Sequence, residues 1–320
     1  AKAPHESLNK ADHILQAKSY AWNTREVYIV LLTDFEEFKL FDASLKPDPN
    51  YPERGIIFNF TYKQFIDKID KLWMLSYDEV LKGSLDELIL TDNQSKKYRV
   101  PVDIAFLNSI EEWRYQLASS AYKLQPELTV KQLNTIVQRF LDRLIFIRIA
   151  EDRKIYEPRT LQDISDLWKA EGKKRPIQFH LNLLFKKINQ DLNGEIFKPH
   201  DCENIEFDSD IISKIIDNLY FPKSPYRFEV MGVELLGSIY ERFLGNTIRT
   251  TAKQVKIEQK PDVKKAGGVF YTPKFVVDYI VKNTVGEKIK NLSPDEIANI
   301  KIIDPSCGSG SFLISAFQYL

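Results

Sequence analysis

Apolar residues recur three and four positions apart through the middle of this chain. FLNSIEEWRYQLASSAY, LTVKQLNTIVQRFLDRLIFIRIAEDR, QFHLNLLFKKINQDLNG and DSDIISKIIDNLYF each gather Leu, Ile, Val and aromatic residues on one face of a helix. Asp208 or Ser209 is placed to cap the last of these, and VMGVELLGSIYERFLG closes the region. Before it the period changes. ADHILQAKSYAW has helical spacing, while VYIVLLTD and FKLFD are short apolar runs separated by the acidic turn Asp34 to Glu37, which predicts a strand pair. A Pro-rich loop, KPDPNYPERG, precedes a further strand, IIFNF, and TYKQFIDKIDKLWML returns to the helix period. The fold class expected is mixed α/β and predominantly helical, with no internal repeat.

Residues 249–268 break the pattern. Arg249, Lys253, Lys256, Lys260, Lys264 and Lys265 face Glu258 and Asp262, and a Gly pair follows. The stretch reads as an exposed, mobile linker, or as a segment that orders against a phosphate backbone. After it, GVFYTPKFVVDYIVKNTV predicts a helix capped by Thr272, with Pro273 at its first position and a stripe of Val276, Val277, Ile280 and Val281. NIKIID reads as a buried strand, and PSCGSGSFLISAFQYL turns from it into another helix.

Composition narrows the class of protein. The chain has 320 residues and zero formal net charge, and no apolar run approaches the roughly 20 residues that span a bilayer. AKAPHESLNKADH has neither an apolar signal core nor an initiator Met, so a cytoplasmic location and no membrane partner are expected. Cys202 and Cys307 are too far apart for a disulfide framework and read as free thiols. His13, His180 and His200 have no metal-ligand spacing, so no metal site is assigned. Arg143, Glu151, Asp152 and Arg153 read as a helix-end salt-bridge network, and Trp113 and Phe146 as core residues. Zero net charge leaves a nucleic-acid partner open, because a local basic face is what counts.

The turn after NIKIID carries the most specific chemistry. Gly308 and Gly310 remove side chains where a ligand must approach the backbone, and the helix that follows aims its first amides at an anionic group. A dinucleotide fingerprint would need Gly or Ala where Leu313 stands, and a P-loop would need a Lys that is absent. Asp304 would repel a pyrophosphate and attract an ammonium. S-adenosylmethionine, with an α-ammonium, a carboxylate, a sulfonium and no phosphate, fits best.

Together, Gly268-Val-Phe-Tyr-Thr-Pro and Asp304-Pro-Ser-Cys-Gly-Ser-Gly-Ser-Phe resemble the first two motifs of DNA methyltransferases that modify adenine N6. The resemblance implies a class I, Rossmann-like domain. In it Phe270, Tyr271, Thr272 and Pro273 line the cofactor pocket from one side, and Asp304, Pro305, Cys307, Gly308 and Gly310 from the other. The Asn/Asp-Pro-Pro-Tyr/Phe loop that holds a flipped base in that family is missing, so this polypeptide is not expected to methylate unaided.

At the other end, Ala1-Lys2-Ala3-Pro4, then Gln16 and Tyr20 on one helix face, then AWNT, resemble the tail of the nuclease domain in single-chain type IIG restriction-modification enzymes and related type I subunits. The resemblance makes Lys2 the motif lysine, with Gln16 and Tyr20 beside it, and implies Mg2+ for cleavage, held by acidic residues that would precede Ala1. The partition expected is a C-terminal remnant of an α/β nuclease domain over 1–100, a helical connector over 101–248, and a linker with the start of a methyltransferase domain over 249–320. The chain reads as a fragment of a longer, DNA-acting enzyme with double-stranded DNA as partner. Two alternatives remain: a methylase-only phage-defence or type I modification subunit, and a non-catalytic DNA-positioning module with a vestigial cofactor pocket.

Overall fold

The computed structural model describes residues 7–24, 27–90, 99–192, 194–251, 254–265, 272–308 and 310–320. Within them the chain is mixed α/β and mostly helical, as the periodicity predicts. Helix α1 (Ala11–Asn23) leads into an antiparallel meander of β1 (Ile29–Thr33), β2 (Glu37–Asp42) and β3 (Ile56–Thr61). Ile29 stands opposite Asp42, and Thr33 opposite Phe38. The turn between β1 and β2 forms because the Asp34 carboxylate accepts from the Glu36 and Glu37 amides at 3.0 and 2.7 Å. The helix expected over 61–75 is instead broken into a 3₁₀ turn (Tyr62–Gln64) and α2 (Ile69–Trp73), and two further short helices follow it, α3 (Tyr77–Leu81) and α4 (Ser84–Leu90). No side chain of α2 or α3 is buried, so no packed face supports a longer helix.

The body of the molecule is built on α5 (Val102–Leu124) and α6 (Val130–Asp152), joined by α7 (Thr160–Ala170), α8 (Ile177–Leu192), α9 (Ser209–Asp217) and α10 (Val233–Leu244). Thr129 and Gln132 form a reciprocal cap on α6, and the Asp208 carboxylate caps α9 by accepting from the Asp210 and Ile211 amides. One continuous core runs through these helices and reaches back to Trp22 of α1, whose indole donates to the Val100 carbonyl at 3.0 Å. Of the four charges expected to form one network, only Glu151 and Asp152 come together, around Arg148, which nothing in the sequence pattern marks out. Arg148 pairs with Asp152 at 2.5 Å and Glu151 at 3.4 Å, while Arg153 donates to the Met231 carbonyl and Arg143 to Glu203. Trp113 is buried in the core, whereas Phe146, expected there too, is exposed, with its ring edge-on against Phe197 at 5.4 Å.

Where it is described, the stretch expected to be an open linker forms regular elements. Strands β4 (Asn246–Thr250) and β5 (Val255–Gln259) pair as a hairpin, and α11 (Pro261–Lys265) follows. Ile248 and Val255 enter the main core, while Arg249 and Lys256 stand opposite each other on the outer face. The alternating apolar positions are few among many charges, which is why composition hides the strands. Asn134 of α6 locks the hairpin by donating to the Ile248 carbonyl and accepting from its amide, each at 2.8 Å.

Helices α12 (Lys274–Ile289), α13 (Pro294–Ala298) and α14 (Ser311–Tyr319) complete the described chain. The strand expected over NIKIID does not form. Residues 301–304 carry no ladder, and Ile303 is 88 % exposed. A buried strand needs neighbours on its edges, and among the described residues none lies beside this segment. No helix among the described residues is long and apolar enough to cross a membrane.

Candidate functional site

The two helices that follow the motif loops lie side by side. Val277 and Val281 of α12 pack against Ala316 of α14, with Val285 and Phe312 at the edge. A polar chain joins the same helices nearer the motif loops: Lys274 pairs with Asp278 at 3.3 Å, and the Ser315 hydroxyl donates to Asp278 at 3.0 Å. The start of α12 differs from the sequence expectation by one residue. Thr272 makes no capping bond. The Pro273 carbonyl opens the helix, accepting from the Val276 and Val277 amides at 3.0 and 3.1 Å.

The turn before α14 is shaped by its own polar groups. The Asp304 carboxylate accepts from the Ser306 amide at 3.0 Å, and the Gly310 amide donates to the Cys307 carbonyl at 2.7 Å. Gly308 and Gly310 have φ of 52° and 83°, left-handed values that a side chain opposes. Gly308 is needed for a second reason: a Cβ built there would collide with the carboxylate of Glu241 on α10. A carboxylate thus stands at each side of the turn, Asp304 within the motif and Glu241 across from Gly308. Cys307 is exposed, and Cys202 is buried, with burial pushing its thiol up to about 11.

Behind the turn, a cavity of about 400 Å³ separates α12 and α14 from α5, α6 and α10. Its walls are mainly apolar, Phe146 among them, which accounts for the exposure of that ring. Lys274 and Ser311, the first residues of the two motif helices, reach its lining. The one carboxyl aimed inward from α6 is Asp142, whose Oδ1 accepts from the Gln138 amide at 2.7 Å. Burial pushes the Asp142 carboxyl up despite bonds from Tyr240 and Gln138, and burial followed by the Asp142 charge pushes the Tyr240 phenol up.

Of the other residues singled out in the sequence, Lys2, Phe270 and Tyr271 lie outside the described residues. Pro305 is exposed beside Asp304. Gln16 and Tyr20 are on α1, where Tyr20 lies under the Arg227 guanidinium at 5.1 Å and shares a hydrogen bond with Glu229. These contacts tie the pair to the loop before α10 and not to the turn at 304–310. Among the described residues no group of three or more His, Cys, Asp or Glu is arranged to hold a metal. Glu241 carries no signal in the sequence, because it lies on an ordinary amphipathic helix and reaches the turn only through tertiary packing.

Residues 232–320 match the family model described as N-6 DNA Methylase, a match that takes in α10 and Glu241 as well as both motifs. Over its whole length the chain is 31% identical to the type II restriction enzyme and methyltransferase RM.Eco57I of Escherichia coli, and it spans 32% of that protein. It is 24% identical, over 56% of its own length and 20% of the relative's, to the putative type II restriction enzyme and methyltransferase RM.MjaORFECS2P of Methanocaldococcus jannaschii. A 30% identical stretch covering 25% of the chain is similar to the adenine-specific methyltransferase PglX of Streptomyces coelicolor. No solved structure matches. The resemblance to restriction-modification enzymes with a fused methyltransferase is thus borne out along the full chain.

Proposed function

We propose that this chain, similar throughout to a type II restriction enzyme and methyltransferase, is the section of such an enzyme that joins its nuclease part to its methyltransferase part. It would also supply the first half of the S-adenosylmethionine pocket. The whole protein would transfer a methyl group to adenine N6 in a specific sequence of double-stranded DNA and cleave DNA that lacks the mark. The observation that carries the reading is the turn at 304–310: two left-handed glycines with Asp304 on one side and Glu241 against Gly308.

These residues fit the cofactor by their chemistry. Asp304 would draw the α-ammonium, Gly308 and Gly310 would admit the ligand to the backbone, and Pro305 and Cys307 would border it. Phe270, Tyr271, Thr272 and Pro273 would close the other side. Glu241 is a positioning residue: it walls the turn from α10 and adds negative potential that excludes phosphates. When bound, S-adenosylmethionine supplies the electrophilic methyl group. The chain's own contribution is to hold the methionine end.

The nuclease half is supported by the likeness of the whole chain to a protein named as a restriction enzyme and by Gln16 and Tyr20 on α1. The described residues do not fit Mg2+, because they gather no acidic cluster, so no cleavage step is assigned to them. Titration of the protein carrying this chain with S-adenosylmethionine in a calorimeter tests the reading. Heat that disappears in Asp304→Ala is expected; no heat and no thermal shift with the unmodified protein would overturn it.

A further inference from the structure

A second cleft, of about 380 Å³, lies between the loop after β2 and the segment that follows α9, with Ser109 and Trp113 of α5 in its wall. We infer that this cleft is a phosphate-binding site that takes the phosphodiester backbone of duplex DNA, and the inference rests on the DNA part of the function proposed above. Its lining carries Lys46, Arg54 and Lys223 against the single carboxylate of Asp48, three cations less one anion, or +2, in a chain whose formal net charge is zero.

The cations come from both sides of the joint. Lys46 and Arg54 belong to the N-terminal unit, and Lys223 belongs to the helical body. Arg54 is held in place by Asp48 at 3.1 Å and by the Tyr51 ring at 4.6 Å, and Lys223 by Asp217 at 3.0 Å. Lys46 is different. It is half-buried, and desolvation lowers its ammonium from the ordinary lysine value against the opposing pull of the Asp48 charge, with no hydrogen bond to its side chain among the described residues. The Asn218 carboxamide in the same lining also lacks a partner among the described residues.

The Lys46 ammonium and the Asn218 carboxamide are half-buried donors open to the cleft, flanked by two fixed cations, so an acceptor that enters can bond both. The group that suits these donors is an anion with several oxygens. The space exceeds an isolated ion, because pockets of roughly 300–1,000 Å³ hold ligands of nucleotide size. The walls are pinned: Lys18 donates to the Pro52 and Arg54 carbonyls, and Asn23 donates to the Pro225 carbonyl at 2.6 Å. A phosphate seated here would touch both units at once, so DNA lying across the joint would hold their relative placement.

The test uses the full chain in fluorescence anisotropy titrations with a labelled duplex at several salt concentrations, beside calorimetric titration with inorganic phosphate and with a deoxynucleoside triphosphate. Lys46→Gln and Lys223→Gln are each expected to weaken duplex binding several-fold and to flatten the log–log salt dependence by about 0.9 for each phosphate that is no longer neutralised. Lys46→Arg should restore both, and melting curves confirm that the variants fold. Heat from phosphate or nucleotide alone that vanishes in Lys46→Gln, with duplex binding unchanged, would replace the backbone with a free phosphoryl ligand and overturn the DNA assignment. Unchanged salt slopes and no phosphate heat would overturn the site altogether. Intact S-adenosylmethionine binding in that case would leave the methyltransferase reading standing.

Discussion

Between α5 and the β4–β5 hairpin the core is continuous, and the cation buried deepest in it is bonded through all three of its nitrogens. Arg143, wholly buried, donates from Nε to the Ile196 carbonyl at 2.8 Å, from Nη1 to Glu203 at 2.9 Å and from Nη2 to the Lys198 carbonyl at 2.6 Å, with the Phe185 ring 4.9 Å away. Between α12 and α14 the buried set is Val277, Val281 and Ala316, while Phe275, Tyr279, Ile303 and Phe317 face solvent. The body therefore stabilises itself, and the C-terminal pair leans on it through Glu241 and the walls of one cavity. Stability and candidate chemistry occupy different parts of the chain, consistent with sites being grafted onto scaffolds that fold for other reasons.

The largest expected effect tests the body. Arg143→Ala leaves Glu203 without its cation and two carbonyls without donors, and should lower the unfolding free energy by about 3–5 kcal/mol in chemical denaturation followed by circular dichroism. Leu141→Ala, in the same core, should cost about 2–5 kcal/mol and shift the whole transition. Val281→Ala should cost only about 1 kcal/mol, with faster amide exchange confined to α12 and α14. Equal and global losses in these two variants would mean that body and pair form one cooperative unit, which removes the contrast.

Gly308→Ala probes the junction of the two regions. The left-handed backbone alone should cost about 1–2 kcal/mol, and S-adenosylmethionine heat should vanish. Adding Glu241→Ala removes the clash but not the backbone strain, so stability should recover in part. Full recovery would mean that the glycine serves only to clear Glu241.

Much of this contrast could be read from the chain in advance. The helices of the body, the three-stranded meander and the Asp208 cap follow from periodicity and local polar groups, because each forms against its own neighbours. The glycine turn and Asp304 were legible because they are contiguous. Three things were not. The β4–β5 hairpin depends on Ile248 and Val255 finding a core built by distant helices; Phe146 is exposed because a cavity opens beside it; and Glu241 meets Gly308 from 67 residues away. NIKIID has strand composition but no neighbouring strand among the described residues, and composition alone does not make a ladder.

The smallest effect concerns the N-terminal unit. Burial pulls the Lys18 ammonium down from 10.5 to about 8, so the folded state releases its proton first. The unfolded chain binds more protons between those values, and stability from this group should rise from about pH 8 to 10.5. Lys18→Met should remove that rise from the difference in melting temperature across the window. A falling difference would contradict the sign.

Asn134 has a further consequence. By bonding both the amide and the carbonyl of Ile248, a helix side chain presents to β4 the hydrogen-bond pattern of an adjoining strand. An exposed strand edge invites pairing with another copy of the chain. Here the edge is plugged at its middle residue, so a hairpin rich in charge and anchored by two apolar side chains can stand at the surface without recruiting a partner. In Asn134→Ala the first symptom expected is concentration-dependent self-association seen in light scattering, before any loss of helix.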